Sequence, residues 1–317
     1  MDGDRFQELE DLFGKKGSEE MRKRACEQLE EAIGLIPDSD KEAYCQAKRT
    51  IPDLVEDESP KELFLRHEDY NVWRAARGLV SYWTWRAKLF GSRAFLPLLL
   101  AGESALSDRD RACFDKRRYE ILPDTFSGYP VLHFNMSVST PDSSFEYHRC
   151  LFYVVKVLCR HAQAAKGIHV IVSTSGAEFK PLMQHDSLVE LLSVALPIRF
   201  GEVHVVPENG EHKAAMFEKI VPSFFNFFGS RLETRIKIHK DKNKKSLIDS
   251  LRSAGFTEEG IPETIGGGWK PSSFCQWKAS RTAIESKHPG EKCVRALYGI
   301  FVPHILRNSN TKRLCSI

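Results

Sequence analysis

Leu196-Pro197-Ile198-Arg199-Phe200-Gly201 opens the stretch that decides the fold, and Val203-His204-Val205-Val206 follows it as a short apolar run. Pro207-Glu208-Asn209-Gly210 is turn chemistry, and the residues from about Lys213 to Phe228 predict a helix that Gly229 ends. The alternating basic segment Arg235-Ile236-Lys237-Ile238-His239 closes the unit as a strand. Strand, turn, helix and strand make a crossover of the right length for two parallel strands. In the helix, Phe217, Ile220, Val221, Phe224, Phe225 and Phe228 fall three and four apart on one stripe, which Phe227 widens, while Pro222 predicts a kink or restart. A helix this aromatic is either core or a cover over something apolar that is not protein.

Working outward, further strands and helices alternate around this unit. Gly128-Tyr129-Pro130 leads into the strand Val131 to Met136, Phe145 to Ala165 predicts a long helix, and Ile168 to Val172 is a second strand. Leu182 to Ala195 predicts a helix, as does Ser246 to Ala254, and Ile261 to Trp269 reads as a loop. After Phe95 to Leu100 a polar helix or loop runs to Leu122, and Asp53 to Pro60 reads as an acidic loop. N-terminal to these lie polar helices, then an amphipathic helix that gathers Val72, Ala75, Ala76, Leu79 and Trp83 on one face. Helices alternating with short strands from about 130 to 255 predict an α/β class with a mostly parallel sheet. Three regions are expected: a helical N-lobe over 1–105, the sheet domain over 106–270, and a basic extension over 271–317 with a helix at Lys292 to Val302.

The chain has 317 residues and a formal net charge of +3, but the charge is uneven. Residues 1–62 hold 10 Lys/Arg against 18 Asp/Glu, whereas 270–317 hold 9 against 2. Basic stretches suit anionic lipid heads or nucleic acid; the modest total and the lack of a recognition motif argue against nucleic acid. No run of apolar residues is long enough to span a bilayer. The charged N-terminus lacks a signal region, and the eight scattered cysteines, without a Cys-x-x-Cys, are expected as reduced thiols in a cytoplasmic protein.

Four pieces in this order resemble the CRAL-TRIO family of lipid-binding and lipid-transfer proteins. They are Phe64-Leu65-Arg66 through Ala75-Ala76 and Trp85-Arg86; Gly128-Tyr129-Pro130-Val131; Leu196-Pro197 to Val206; and Ile261-Pro262-Glu263-Thr264-Ile265-Gly266-Gly267. Each is weak alone, and their order and spacing over about 60–270 give the likeness its specificity. The resemblance implies a helical N-lobe and a sheet that floors a large apolar pocket under helices, one of which is a mobile gate. The gate would be Phe217, Ile220, Val221, Phe224, Phe225 and Phe228, and the floor His133, Val170, Val172, His204 and Val206. Arg66, Arg235 and Lys237 would meet the head group. Members that bind phosphatidylinositol carry a Glu after Tyr-Pro where this chain has Ile198, and a basic residue that Arg235 matches. A lipid is therefore implied without its class.

Enzyme signatures are not found. There is no Gly-x-Ser-x-Gly, and Gly266-Gly267-Gly268 leads into Trp269-Lys270-Pro271 rather than a P-loop helix, so it reads as a tight turn. The eleven histidines show no paired ligand spacing, and His133, His169 and His204 on strands read as structural, so neither metal nor catalytic residues are expected. The expectation is a monomeric, non-enzymatic protein without cofactor. It would bind one phospholipid or other hydrophobic lipid, dock peripherally on anionic membranes and transfer or present its cargo. The alternative is a scaffold or regulator of a lipid kinase or small GTPase that moves no lipid.

Overall fold

The computed structural model describes residues 4–138, 145–174, 191–207, 235–240 and 243–287, with side chains from residue 19 onward. Its helical layer comprises α1 (Asp4–Leu35), α2 (Glu42–Thr50), α3 (Pro52–Glu58), α4 (Lys61–His67) and α5 (Val72–Phe90). Helix α6 (Asp108–Phe114) leads to strands β1 (Tyr119–Leu122) and β2 (Val131–Asn135), then α7 (Phe145–Cys159), β3 (Ile168–Thr174), β4 (Phe200–Pro207) and β5 (Ile236–Ile238). Helices α8 (Lys244–Ser253) and α9 (Pro271–Lys287) complete the described chain.

The five strands lie in sequence order, β1 antiparallel to β2 and every later pair parallel. This is the mostly parallel α/β sheet that the alternation predicts. Strand β1 was expected as loop or helix. Tyr119-Glu120-Ile121-Leu122 is too short to carry a clear period and gains strand form by pairing Tyr119 with Phe134 and Leu122 with Val131.

Among the described residues, the helical layer holds a buried charge centre at Glu58. Asp53 to Pro60, expected as a loop, is mostly helix α3, started by Pro52 at its first turn, where a missing N–H costs nothing. Glu58 at its end is fully buried and accepts from Lys156 Nζ of α7 at 2.6 Å and from the Leu98 N–H at 2.7 Å. It also pairs with Arg86 of α5, itself fully buried, whose Nε donates to the Ala94 carbonyl at 2.6 Å. Burial pushes the Glu58 carboxyl up, but Arg86 and Lys156 outweigh it and hold it down at about 2. Trp83 Nε1 donates to Ser59 Oγ at 2.9 Å, which ties α5 to the end of α3. Asn71 caps α5 through the Arg74 N–H, and Ser107 with Asp110 forms a capping box on α6.

The segment expected as a basic extension begins with α9, which packs into the body. Phe274 is buried against Phe114, and buried Glu285 accepts from Tyr153 Oη at 2.9 Å and the Leu100 N–H at 2.8 Å. The helix expected at 292–302 lies outside the described residues.

Candidate functional site

Alternation along a strand sends neighbouring side chains to opposite faces, and paired residues share a face. The register then sorts the sheet into two chemistries. One face gathers Tyr119 and Ile121, Leu132 and Phe134, Val170 and Val172, Val203 and Val205, and Ile236 and Ile238. The other gathers Glu120, His133, His169, Ser173, His204 and Lys237, with Val131, Ile171 and Val206 among them.

Helix α7 lies on the apolar side. The Arg118 guanidinium sits 5.0 Å from the Phe134 ring centre and 5.1 Å from that of Tyr147 on α7, and Tyr119 stacks on Phe134 at 5.1 Å. The polar side is covered by the chain after β5. Phe256 meets the His204 ring edge-on at 4.8 Å, and Trp269 Nε1 donates to Glu120 Oε1 at 3.2 Å. Trp269 is brought there by the tight turn expected at Gly266-Gly267-Gly268. Gly266 has φ 104°, the Gly267 N–H bonds the Pro262 carbonyl at 3.0 Å, and a Cβ on Gly267 would collide with Ile261.

The expected floor set is therefore divided. Val170 and Val172 lie on the apolar face, whereas His133, His204 and Val206 lie on the opposite one, so the five cannot line one cavity. The apolar partners of the two valines are Leu132, Phe134, Val203 and Val205. The polar face holds two hydrogen-bonded chains. In the first, Glu120 Oε2 meets His133 Nδ1 at 2.9 Å, and His133 Nε2 meets Ser173 Oγ at 2.8 Å. This is the order of orienting acid, base and hydroxyl found in acyl-transfer sites. Here Ser173 is 3% exposed and sits within a strand, and Glu120 also accepts from Arg117 Nε at 2.7 Å. Burial raises the Glu120 carboxyl, but His133 and Arg117 outweigh it and lower it. Such an arrangement satisfies buried polar groups. In the second chain, His204 Nδ1 meets His239 Nε2 at 3.0 Å and His239 Nδ1 meets Ser250 Oγ of α8 at 3.2 Å. Burial, then His239, lowers His204 to about 4.

The expected head-group residues also part. Lys237 is half exposed on the polar side and pairs with Glu202 at 2.8 Å. Arg66 is held by Glu62 one turn earlier at 2.6 Å. Arg235 is exposed and donates to the Phe200 carbonyl at 3.4 Å. The neighbouring Arg199 reaches the His67 carbonyl at 2.9 Å and Asp69 at 2.6 Å, which brings the end of α4 to the start of β4. The gate residues Phe217, Ile220, Val221, Phe224, Phe225 and Phe228 lie outside the described residues.

A cleft of about 440 Å³ lies elsewhere, between Ile51, Leu54, Phe95 and Leu99 of the helical layer and Lys156, Arg160, Arg281 and Glu285. Its cations are paired: Lys156 with Glu58, Arg160 with Asp57 at 3.0 Å, and Arg281 with Glu285 at 2.8 Å. Sequence reading missed Glu120, Ser173 and Glu202. The one local signal was Glu202-x-His204, two residues apart and so on one strand face; the rest required the pairing of distant strands.

Residues 128–274 match the family model of the divergent CRAL/TRIO domain. Among solved structures, the crystal structure of Sfh5 aligns over 79% of this chain and 99% of its own, with 9% identity and a TM-score of 0.41. No curated protein matches the sequence. Among the described residues, no helix is long and apolar enough to cross a membrane.

Proposed function

We propose that the chain binds one lipid against the apolar face of its sheet and carries or presents it at membrane surfaces, without covalent chemistry. The observation that supports this most is the sorting of the sheet. Apart from Thr174 and Pro207 at the strand ends, a face of Leu, Ile, Val, Phe and Tyr runs across the described strands, while the buried histidines of the sheet are turned to the other side. Strands that follow one another in order, joined by right-handed connections, place those connections on one face. That is the face α7 covers, so a helix at 213–228 would lie over the same apolar surface. Its phenylalanines would face acyl chains when closed and enter a bilayer when open, each worth roughly 1.5–3 kcal/mol of burial. Moving tails from a bilayer to an apolar cavity is close to neutral, so exchange needs no energy source. Arg235 and Arg199, at the strand edge beside α4, would supply positive charge to a head group or an anionic surface.

The test is native mass spectrometry of the purified chain with solvent extraction, followed by a transfer assay between vesicles. One stoichiometric lipid, moved between vesicles and lost when Phe224 and Phe228 are changed to Asp, is the expected result. A chain that carries no lipid and does not load from vesicles would overturn the proposal and favour a scaffold or regulator.

A further inference from the structure

The side of the sheet turned away from the apolar face carries a second set of groups with a different chemistry. His169 of β3 and Glu202 and His204 of β4 bring one ligand atom each to within 4.8 Å of one another. A β-bulge produces this convergence. Between Ile168–Phe200 and Val170–Val203 the pairing shifts, so β4 carries one residue more than β3, and Gly201 and Glu202 occupy the irregular place. Gly201 admits the imidazole: a Cβ there would stand 2.9 Å from His169 Cδ2. Gly167 (φ 128°) lets the two strands approach, since a Cβ on it would lie 2.7 Å from the Gly201 backbone.

We propose that His169, Glu202 and His204 form a binding site for a divalent transition-metal ion, taken through two imidazoles and one carboxylate with a side open to solvent. Borderline ions such as Zn²⁺ favour this donor set, whereas Mg²⁺ and Ca²⁺ favour oxygen alone. An ion about 2 Å from two tetrahedral ligands holds them about 3.3 Å apart. His204 Nε2 and Glu202 Oε2 already stand 3.1 Å apart, and His169 brings a ring nitrogen within 4.8 Å of both. The Nε2 edge of the His169 ring faces β4: a Cβ on Gly201 would stand 3.1 Å from Nε2.

The surroundings fit a ligand histidine. When His204 Nε2 binds the ion, its Nδ1–H donates to His239 Nε2, and His239 Nδ1–H donates to Ser250 Oγ. Outer partners of this kind fix the tautomer and the ring orientation. Tyr129 packs on the His169 ring at 4.8 Å, and Phe256 closes over His204. Lys237 now holds Glu202, its ammonium standing where a cation is wanted; being half exposed, it can swing into water when the ion arrives.

The test uses the full chain stripped of metal and titrated calorimetrically with Zn²⁺, and with Mg²⁺ as the hard-ion control. One Zn²⁺ per chain with no Mg²⁺ uptake is expected. Glu202→Gln, at the exposed rim and close to isosteric, should weaken Zn²⁺ tenfold or more. Ser250→Ala should weaken it about tenfold, and Lys237→Ala should tighten it. The Co²⁺-loaded chain should show ligand-field bands without thiolate charge-transfer absorption, which separates this site from any formed by the cysteines. No stoichiometric uptake, uptake unchanged by Glu202→Gln, or a thiolate spectrum would each overturn the assignment.

Discussion

The two faces of the sheet are built from the same strands and reach opposite solutions. On the α7 side the positions are apolar up to Thr174 and Pro207 at the strand ends, so packing there is mostly non-directional. On the other side His133, His204, Glu120 and Ser173 are equally buried, and each is held by a directed bond. Apolar contact is non-directional and can be exchanged between protein and lipid at little cost. A buried hydrogen-bonded chain cannot be exchanged, because each group left alone bears its full desolvation penalty. The polar face therefore fixes the sheet to the Phe256–Trp269 segment, whereas the apolar face on the α7 side is held by non-directional packing.

The largest break should come from the polar face. Glu120→Ala strands the His133 ring and removes the acceptor of Arg117 and Trp269, with an expected loss of about 3–5 kcal/mol in urea unfolding. Replacing Glu120 and His133 together by Leu should cost clearly less, since neither partner is then left unpaired.

Acid should separate the buried charges of the helical layer from apolar packing. Glu58 is held at about 2, below the ordinary 4.5 of a glutamate, so the unfolded chain takes up the proton first as pH falls. Its contribution, about 3 kcal/mol, is present above pH ~4.5 and is lost between there and pH ~2. Earlier in the descent, burial lowers His67 to about 4, so it stays neutral when folded and stability begins to fall below pH ~6.5. Urea midpoints measured against pH should show both steps, and Glu58→Gln should remove the lower one while lowering stability at neutral pH.

A gentler change sharpens the contrast on the apolar side. Val172→Phe should cost about 1–3 kcal/mol if protein side chains fill the space above β3. If a lipid occupies that space, stability should change by less than this and lipid loading should fall instead. Thermal melts paired with lipid stoichiometry distinguish the two. The smallest effect is expected at Lys237→Ala, whose half-exposed pair with Glu202 should be worth no more than about 1 kcal/mol without metal.

Much of the architecture was legible in local pattern. Val131 to Met136 and Ile168 to Val172 mark β2 and β3 closely, since a buried parallel strand is a continuous apolar run. The glycine loop before Trp269 was legible because only glycine fits the backbone there. Helix α3 was hidden because its acidic residues resemble a loop, and the buried charge of Glu58 makes sense only once Arg86 and Lys156 arrive from α5 and α7. The site was less legible: Val170 and Val172 were placed with His133 and His204, since nothing in one strand says how it aligns with the next.

The sequence by itself determined the alternation of helix and strand, the order of the CRAL-TRIO-like motifs and the apolar runs of β2 to β4, all carried by near neighbours in the chain. Only the tertiary structure decided which side chains share a face. Register is a relation between strands, and a bulge of a single residue at Gly201-Glu202 determines how His169 meets Glu202 and His204.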